Sequence, residues 1–339
     1  MIIKNVKLTN FRSHSFFELN CWKETTMISG ENGSGKTSIL EAIYESLQGK
    51  SFRAVDREIV RRGEEFYKVE TEFENGVKVV VVYETKTNKK TFLIEDRRMA
   101  RLTKQYKYPV VLFEPEDLGL VASSPSKKRE FFDRILTQTN MSVSSSLSRY
   151  TKAMRQRNEL LKNEFLKKED VFSWNVMLAR LGTEIWKERE RQVEMINERL
   201  TDTYRSIAKN NNDEVKIELE SDKETMMDES KYLEKLEHNF DKDRLLGYTS
   251  FGVHRDNYKF DFNGREADGS ASRGEVRSIV IALKFIEAAE IKKVLGKKPV
   301  VLLDDVFSEL DEIRQKALVK NFKQNQVIIT SVNAVEDVV

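Results

Sequence analysis

Gly30-Glu31-Asn32-Gly33-Ser34-Gly35-Lys36-Thr37 is the stretch on which the fold of this chain turns. It fits GxxxxGK[ST], follows the short apolar run TTMIS, and precedes a segment where Ile39, Leu40, Ile43 and Leu47 recur at helical spacing. Strand, glycine-rich turn and helix, in that order, make a phosphate cradle. Glycines let the main chain wrap an anion with its N–H groups inward, and the helix turns its positive N-terminal end to the same charge. Lys36 is expected on the β- and γ-phosphates of a nucleotide and Thr37 on Mg²⁺. Gly30, Asn32, Gly33, Ser34, Gly35 and Ser38 complete the candidate nucleotide-binding set. At average residue usage, a chain of this length holds the pattern by chance on the order of one time in a hundred. A merely flexible turn is the bland alternative, and the flanking strand and helix argue against it.

The second element is VVLLDDVFSELD, from Val300 to Asp311. An apolar run ending in two acids suits a buried parallel strand whose C-terminal edge delivers carboxylates to a ligand. Asp304 is expected to hold Mg²⁺, directly or through water. Asp305 is expected to orient or deprotonate the attacking water, because phosphoryl transfer needs positioning and charge neutralisation more than covalent chemistry. Lys36, Asp304 and Asp305 are thus the candidate catalytic residues.

The third is Ser272-Arg273-Gly274-Glu275, opening a helix whose apolar face carries Val276, Ile279, Val280 and Leu283. A second helix N-terminus aimed at phosphate is redundant within one chain. Across a dimer it can close the γ-phosphate from the opposite side, so that nucleotide holds two copies together. Taken alone, the four residues fit an ordinary N-capped helix equally well.

Around these elements the pattern is that of an α/β head interrupted by helices. Val6 and Leu8 alternate with Lys7 and Thr9, VKVVVVY is a β-branched run, and YPVVLF is a further strand. From about Ser126 to Leu246 helical periodicity takes over, clearest in Trp174, Leu178, Leu181, Ile185, Ile196, Leu200 and Ile207. A helix over 172–209 would be roughly 55 Å long, with Arg189 interrupting its apolar stripe. Strands return after Gly247 in YKFDF, PVVLLDDV and QVIIT. The expected division is an N-terminal head part over 1–115, an inserted, mainly helical arm over 116–246, and a C-terminal head part over 247–339, the two head parts sharing one lobe. Polar NNND and Ser-rich MSVSSSLS break the periodicity, so a bundle packed on itself is at least as good a reading of the arm as a free coiled coil.

Composition narrows the function classes. With 39% hydrophobic and 34% charged residues, the chain reads as globular rather than disordered. The lone Cys21 and the scattered His14, His238 and His254 offer neither a disulfide nor a metal-ligand cluster. The opening MIIKNVKLTNF lacks the pattern of a signal peptide, and no long apolar run exists, so a cytoplasmic protein with no membrane partner is expected. A net charge of +2 announces no nucleic-acid partner, so such a claim must rest on local patches.

Together, in this order and with this insertion, the three elements resemble the ATP-binding-cassette heads of chromosome-maintenance and repair ATPases, and most closely the RecF family. The likeness runs through NFRSH, GKSFRAVDREIVRRG, FEPEDLGLV, GVHRDN and DDVFSELD, and so covers nearly the whole chain. It implies a weak, DNA-stimulated ATPase that uses ATP and Mg²⁺, forms an ATP-induced head-to-head homodimer, and favours double-stranded DNA, gapped junctions included. RecR, with RecO, is the implied protein partner, and recombinational repair with RecA loading the implied outcome. By the same likeness Glu116 lies in the loop that senses the γ-phosphate, joining Thr37 and Asp304 as candidate metal contacts, while Ser308 and Asp311 lie in a dimer-facing loop. The chain departs from the family at VASSPSKKREFFD, where a glycine and an arginine pair are expected, and at Val253 and Asn257, which replace a proline and an aspartate. Thr330 and Ser331 stand where transporter-like cassettes carry a histidine, which implies slow hydrolysis.

Lys86, Lys89, Lys90, Arg97, Arg98 and Arg101 form the best candidate DNA contact, a basic hairpin able to release counterions from phosphates. A solvated edge guarded by lysines explains the same residues equally well. Arg149, Lys152, Arg155 and Arg157 are a second candidate, interleaved with acids as on an ordinary helix surface. Phe52, Arg53, Arg57, Arg61 and Arg62 could approach either DNA or the nucleotide. Two other functions compete. A chromosome-organising head acting as a structural tether needs a far longer coiled coil than this insertion provides, and a small-molecule kinase would need an acceptor pocket but neither SRGE nor the SELD loop.

Overall fold

The computed structural model describes residues 2–95 and 97–332; the end of the expected C-terminal head part, 333–339, lies outside the described residues. Strands and helices are numbered in chain order. Contacts divide the chain into two units, at Leu118 and Gly119 and again at Ile286 and Glu287. The second division falls within the helix α10 (Arg273–Leu295).

At the centre of the first unit is α1 (Lys36–Gln48), the helix that follows the glycine loop. On one side lies an antiparallel sheet of order β2-β1-β4-β5-β6-β7. It is built from β1 (Ile3–Phe11), β2 (His14–Asn20), β4 (Phe66–Phe73), β5 (Lys78–Glu84), β6 (Lys89–Ile94) and β7 (Arg97–Met99), with the single turn α2 (Asp56–Ile59) between β2 and β4 in the chain. The other sheet is wholly parallel, of order β3-β13-β12-β8, from β3 (Thr25–Ser29), β8 (Val110–Phe113), β12 (Val300–Asp304) and β13 (Val327–Ser331), with α11 (Glu312–Phe322) joining the last two. Ile39, Leu40 and Ile43 share one core with Val6, Leu8, Val69 and Val81 of the first sheet and with Val110, Leu302 and Ile328 of the second. Covered on both sides, α1 buries nearly every residue after its first turn, and each such Leu, Ile or Val contributes roughly 1.5–3 kcal/mol over an exposed one. The α/β head expected from the glycine loop is therefore present, with the loop held where both sheets meet α1.

The second unit contains the inserted helices α3 (Pro125–Thr139), α4 (Met141–Leu161), α5 (Lys168–Ala208), α6 (Lys223–Met226), α7 (Glu229–His238) and α8 (Phe240–Leu246). At 41 residues α5 is roughly 60 Å long. Its Leu178, Ala179, Leu181 and Ile185 pack against Tyr150 and Ala153 of α4 and Tyr232 and Leu236 of α7, so the arm helices bury their stripes on one another. One expected element moves. YKFDF, read as part of the returning head, is β10 (Asn257–Phe262) and pairs antiparallel with β9 (Val215–Glu220) and with β11 (Arg265–Glu266), which the short turn α9 (Ala267–Ser270) follows. The contact division thus lies beyond Gly247, because β10 finds its partner in VKIELE inside the insertion. Arg189, the break in the apolar stripe, is buried and paired: it donates to both oxygens of Asp133 at 3.0 and 2.8 Å, to Asp256 at 2.8 Å and to the Val253 carbonyl at 2.6 Å. Burial alone would lower its pKa, but Asp133 and its other neighbours outweigh that and leave it raised.

GVHRDN closes this unit with an ordered chain of protons. His254 Nε2 lies 2.9 Å from the Thr249 carbonyl, which can only accept, so Nε2 carries the hydrogen. Nδ1 then accepts from the Tyr150 hydroxyl at 2.9 Å, and Tyr150 in turn accepts from Tyr232 at 3.1 Å. Gly252, at φ +135°, is required here, since a Cβ would run into both tyrosine hydroxyls. Burial, the largest cause, pushes the His254 pKa down to about 4. A depressed imidazole stabilises the fold fully above its unfolded value near 6.5, and that contribution is lost as pH falls toward about 4. Asp256, pushed up to about 6 by burial, acts in the opposite direction, losing its contribution as pH rises, so the two must be separated. We expect the stability difference between wild type and His254→Gln, from urea unfolding, to shrink by about 2 kcal/mol between pH 7.5 and pH 4.5. A difference that stays constant would contradict the neutral, locked imidazole.

Candidate nucleotide site

The glycine loop leaves β3 at Ser29, with the Gly30 N–H donating to the Ser331 carbonyl of the neighbouring β13 at 3.3 Å. Gly35 sits at the N-cap of α1 in the left-handed region, φ 93°. It has no side chain to cap the helix, and a Cβ there would run into His14 Nε2 at the start of β2 and Ser13 Oγ of the turn before it. The first turn also carries no acid, so the helix N-terminus keeps its N–H groups and positive end for a ligand. Lys36 folds back over the loop, its ammonium donating to the carbonyls of Gly30 at 2.6 Å and Glu31 at 2.8 Å. Those carbonyls hold the charge where phosphate oxygens could take it over.

The two acids arrive on β12. Thr37 Oγ1 donates to Asp304 Oδ1 at 2.8 Å, and the Thr330 hydroxyl donates to the same oxygen at 2.8 Å. Burial raises the Asp304 pKa, while these hydroxyls and the charge of Arg53 pull it down. A partly desolvated carboxylate beside a threonine hydroxyl is the hard-oxygen donor set that Mg²⁺ takes, and the residues present fit that ion. Asp305, next along, adopts a left-handed conformation at φ 49°, and its Oδ1 is buried without a hydrogen bond. Among the described residues no cluster of three or more His, Cys, Asp or Glu could hold a metal ion by itself.

The sequence left NFRSH and KSFRA without a clear physical role. Arg12 donates through Nε and Nη2 to Glu41 of α1 at 2.9 and 2.8 Å, and the Ser51 hydroxyl reaches the same carboxylate at 2.5 Å. This pairing keeps the Arg12 pKa raised. Ser51 also accepts from the Arg53 N–H at 2.9 Å, which fixes the segment whose arginine acts on Asp304. Of the undecided residues, Phe52 packs edge-on against Tyr44, and Arg53, Arg57 and Arg62 are exposed, Arg53 near enough for its charge to lower the Asp304 pKa.

Residues 5–315 match a family described as an AAA domain. The DNA replication and repair proteins RecF of Ruminiclostridium cellulolyticum and Alkaliphilus oremlandii are each 32% identical to this chain, over 98% of it and 93% of their own length. The chain belongs to the RecF family. A solved structure of the recombination mediator protein RecF with ATP, in the RecFOR pathway, superposes with a TM-score of 0.87 at 25% identity, covering 99% of this chain and 93% of the other. An SMC head bound to the C-terminal winged-helix domain of ScpA has the same fold, with a TM-score of 0.55 at 16% identity over 99% of this chain and 90% of that one.

In this RecF-family chain Ser272 and Glu275 form a reciprocal capping box: the Ser272 N–H donates to the Glu275 carboxylate at 2.6 Å, and the Glu275 N–H donates to the Ser272 hydroxyl at 3.3 Å. Ser272 and Arg273 are exposed, Gly274 is half-buried, and all four open α10. Glu116 is exposed in the turn after β8, just past the C-terminal edge of the parallel sheet. The Ser308 hydroxyl donates to the Asp305 carbonyl at 2.7 Å, and Asp311 caps α11 by accepting from the Arg314 N–H at 2.9 Å.

The basic hairpin divides by strand alternation. On β6, Lys89 points outward with Leu93, whereas Lys90 points inward with Phe92 and Ile94. The Lys90 ammonium pairs with buried Glu45 at 2.7 Å and with Asp56, so it is tied into the head and stands apart from the exposed set. Lys86, Lys89, Arg97, Arg98 and Arg101 are exposed, the middle arginines on the edge strand β7. On α4, Arg149, Lys152 and Arg155 are exposed, but Arg157 is fully buried and bound to Asp243 at 2.7 Å, which removes it from any DNA surface.

Proposed function

We propose that this chain is an ATP-switched DNA-repair protein: it binds ATP and Mg²⁺, dimerises on them, holds double-stranded or gapped DNA in that state, and lets go after slow, DNA-stimulated hydrolysis. The observation that carries this reading is the 2.8 Å contact between Thr37 Oγ1 and Asp304 Oδ1, which brings the glycine loop and the two-acid strand to one point across 267 positions of sequence. When bound, ATP with Mg²⁺ supplies the phosphoryl group and most of the charge that neutralises it. The main chain from Gly30 through Asn32, Gly33, Ser34 and Gly35, with Ser38 behind it, cradles the phosphates. Lys36 exchanges the Gly30 and Glu31 carbonyls for phosphate oxygens. Thr37 and Asp304 hold the cation, Glu116 senses the outermost phosphate near it, and Asp305 orients or deprotonates the water.

Ser272, Arg273, Gly274 and Glu275 of a second copy close the site. The exposure of Ser272 and Arg273 at a helix N-terminus, with the capping box already shaping the main chain, supports that role. Lys86, Lys89, Arg97, Arg98 and Arg101 contact DNA phosphates without reading bases. The related structure's place in the RecFOR pathway supports RecR and RecO as partners, and RecA loading is the outcome that the family resemblance implies. No described helix is long and apolar enough to cross a membrane.

The test is fluorescence anisotropy of a labelled gapped duplex with and without ATP. We expect ATP to tighten binding roughly tenfold or more in wild type and to do nothing in Ser272→Arg, whose side chain would obstruct the facing phosphate. ATP-tightened binding that survives in Ser272→Arg would contradict the shared site.

A further inference from the structure

Thr330 is the penultimate residue of β13, which lies between β3 and β12 in the parallel sheet, and it is 0% exposed. Its single hydroxyl makes a bond in each direction. It donates to Asp304 Oδ1 at 2.8 Å and accepts from the Asp305 main-chain N–H at 2.9 Å. The strand register places Thr330 directly opposite Asp304, so the contact follows from sheet pairing rather than from a loop. Thr37 supplies the other donor to Asp304 Oδ1, also at 2.8 Å. Asp305 needs such an anchor. A non-glycine residue at φ 49° is strained and persists only where its surroundings hold it, and its own Oδ1 accepts no hydrogen bond.

We propose that Thr330 is a positioning residue for nucleotide hydrolysis: through one hydroxyl it fixes the Asp304 carboxylate and the Asp305 main chain together, so that the cation-holding and water-orienting acids form a single rigid pair. The inference rests on the roles given to those two acids in the proposed function. Valine matches threonine in shape but lacks the hydroxyl, which leaves Asp304 with Thr37 alone and Asp305 N–H with only the longer bond to the Thr330 carbonyl at 3.2 Å. Serine keeps the hydroxyl and loses only a methyl group.

Thr330→Val is expected to lower kcat for ATP roughly 10- to 100-fold with KM within about threefold, and Thr330→Ser to return kcat to within about threefold of wild type. A second readout does not depend on turnover. Binding of a fluorescent ATP analogue without metal should be unchanged in Thr330→Val, while the tightening produced by Mn²⁺ should fall roughly tenfold, because an outer partner of a metal-holding carboxylate has been removed. Should valine prevent folding, Thr330→Cys replaces it as the poor donor against serine as the good one. Wild-type kcat and metal response in the valine or cysteine variant overturns the proposal, as does a loss in Thr330→Ser equal to that in valine. An Asp305→Asn variant that hydrolyses at the wild-type rate would remove the underlying reading instead, whereas a slowed Asp305→Asn beside an unaffected Thr330→Val removes only the role of Thr330.

Discussion

Asp305→Asn is expected to bind ATP within about threefold of wild type while cleaving it roughly 100-fold more slowly or worse, as befits loss of a charge proposed to act only on the attacking water. The substitution is nearly isosteric, and asparagine tolerates the left-handed conformation that Asp305 adopts. The main-chain bond to Thr330 and the Thr37–Asp304 contact do not involve the altered atoms, so the cation site should remain intact. If hydrolysis releases the dimer, the variant should also stay on DNA. Single-turnover hydrolysis beside a competitor chase from labelled duplex measures both effects in the same samples. Quicker dissociation in ATP than wild type shows would contradict the coupling.

Arg189→Met should destabilise the second unit by about 3–5 kcal/mol, the usual cost of removing one partner from a buried ion pair. Methionine fills much of the space, so the loss is electrostatic. Buried Asp256 and half-buried Asp133 would be left without the guanidinium that both now share, and the Val253 carbonyl would lose its donor. Urea unfolding followed by tryptophan fluorescence gives the value, since Trp186 is buried in the helical core of the same unit. Adding Asp133→Asn and Asp256→Asn to Arg189→Met should recover part of the stability, because the stranded charges are then gone. A loss below about 1 kcal/mol for Arg189→Met alone would mean that water or rearrangement already compensates the triad.

How much of this was legible in advance depends on how far apart the interacting residues lie. The glycine loop announced its strand and helix because all three are contiguous, and a buried run such as Val300–Asp304 needs no partner to be recognised. The arm periodicity likewise placed α5 within a few residues of its true ends. By contrast, β4 and β9 carry acids and lysines on their outer faces, which diluted the alternation, and β9 reveals itself only through β10. Arg157 looked like a solvent-facing charge and Arg189 like a break in the apolar stripe. Their counter-ions, Asp243 and Asp133, lie 86 and 56 positions away, a distance that periodicity does not bridge. Lys90 was grouped with its basic neighbours, although strand alternation turned it inward to Glu45. At the site, the lysine, threonine and two acids could be named from their motifs. Thr330 stood out only for replacing the histidine of transporter-like cassettes, and only the sheet register reveals why a hydroxyl is needed there.

The most direct test of a nucleotide shared between two copies is to mix two variants that are each expected to be inactive, Lys36→Ala in the glycine loop and Ser272→Arg in the helix proposed to close the site from a second copy. A mixed dimer would contain one intact composite site, so equal mixing should recover about a quarter of wild-type hydrolysis per protomer if sites act independently. Hydrolysis no greater than the sum of the two variants measured alone would contradict the sharing of the site.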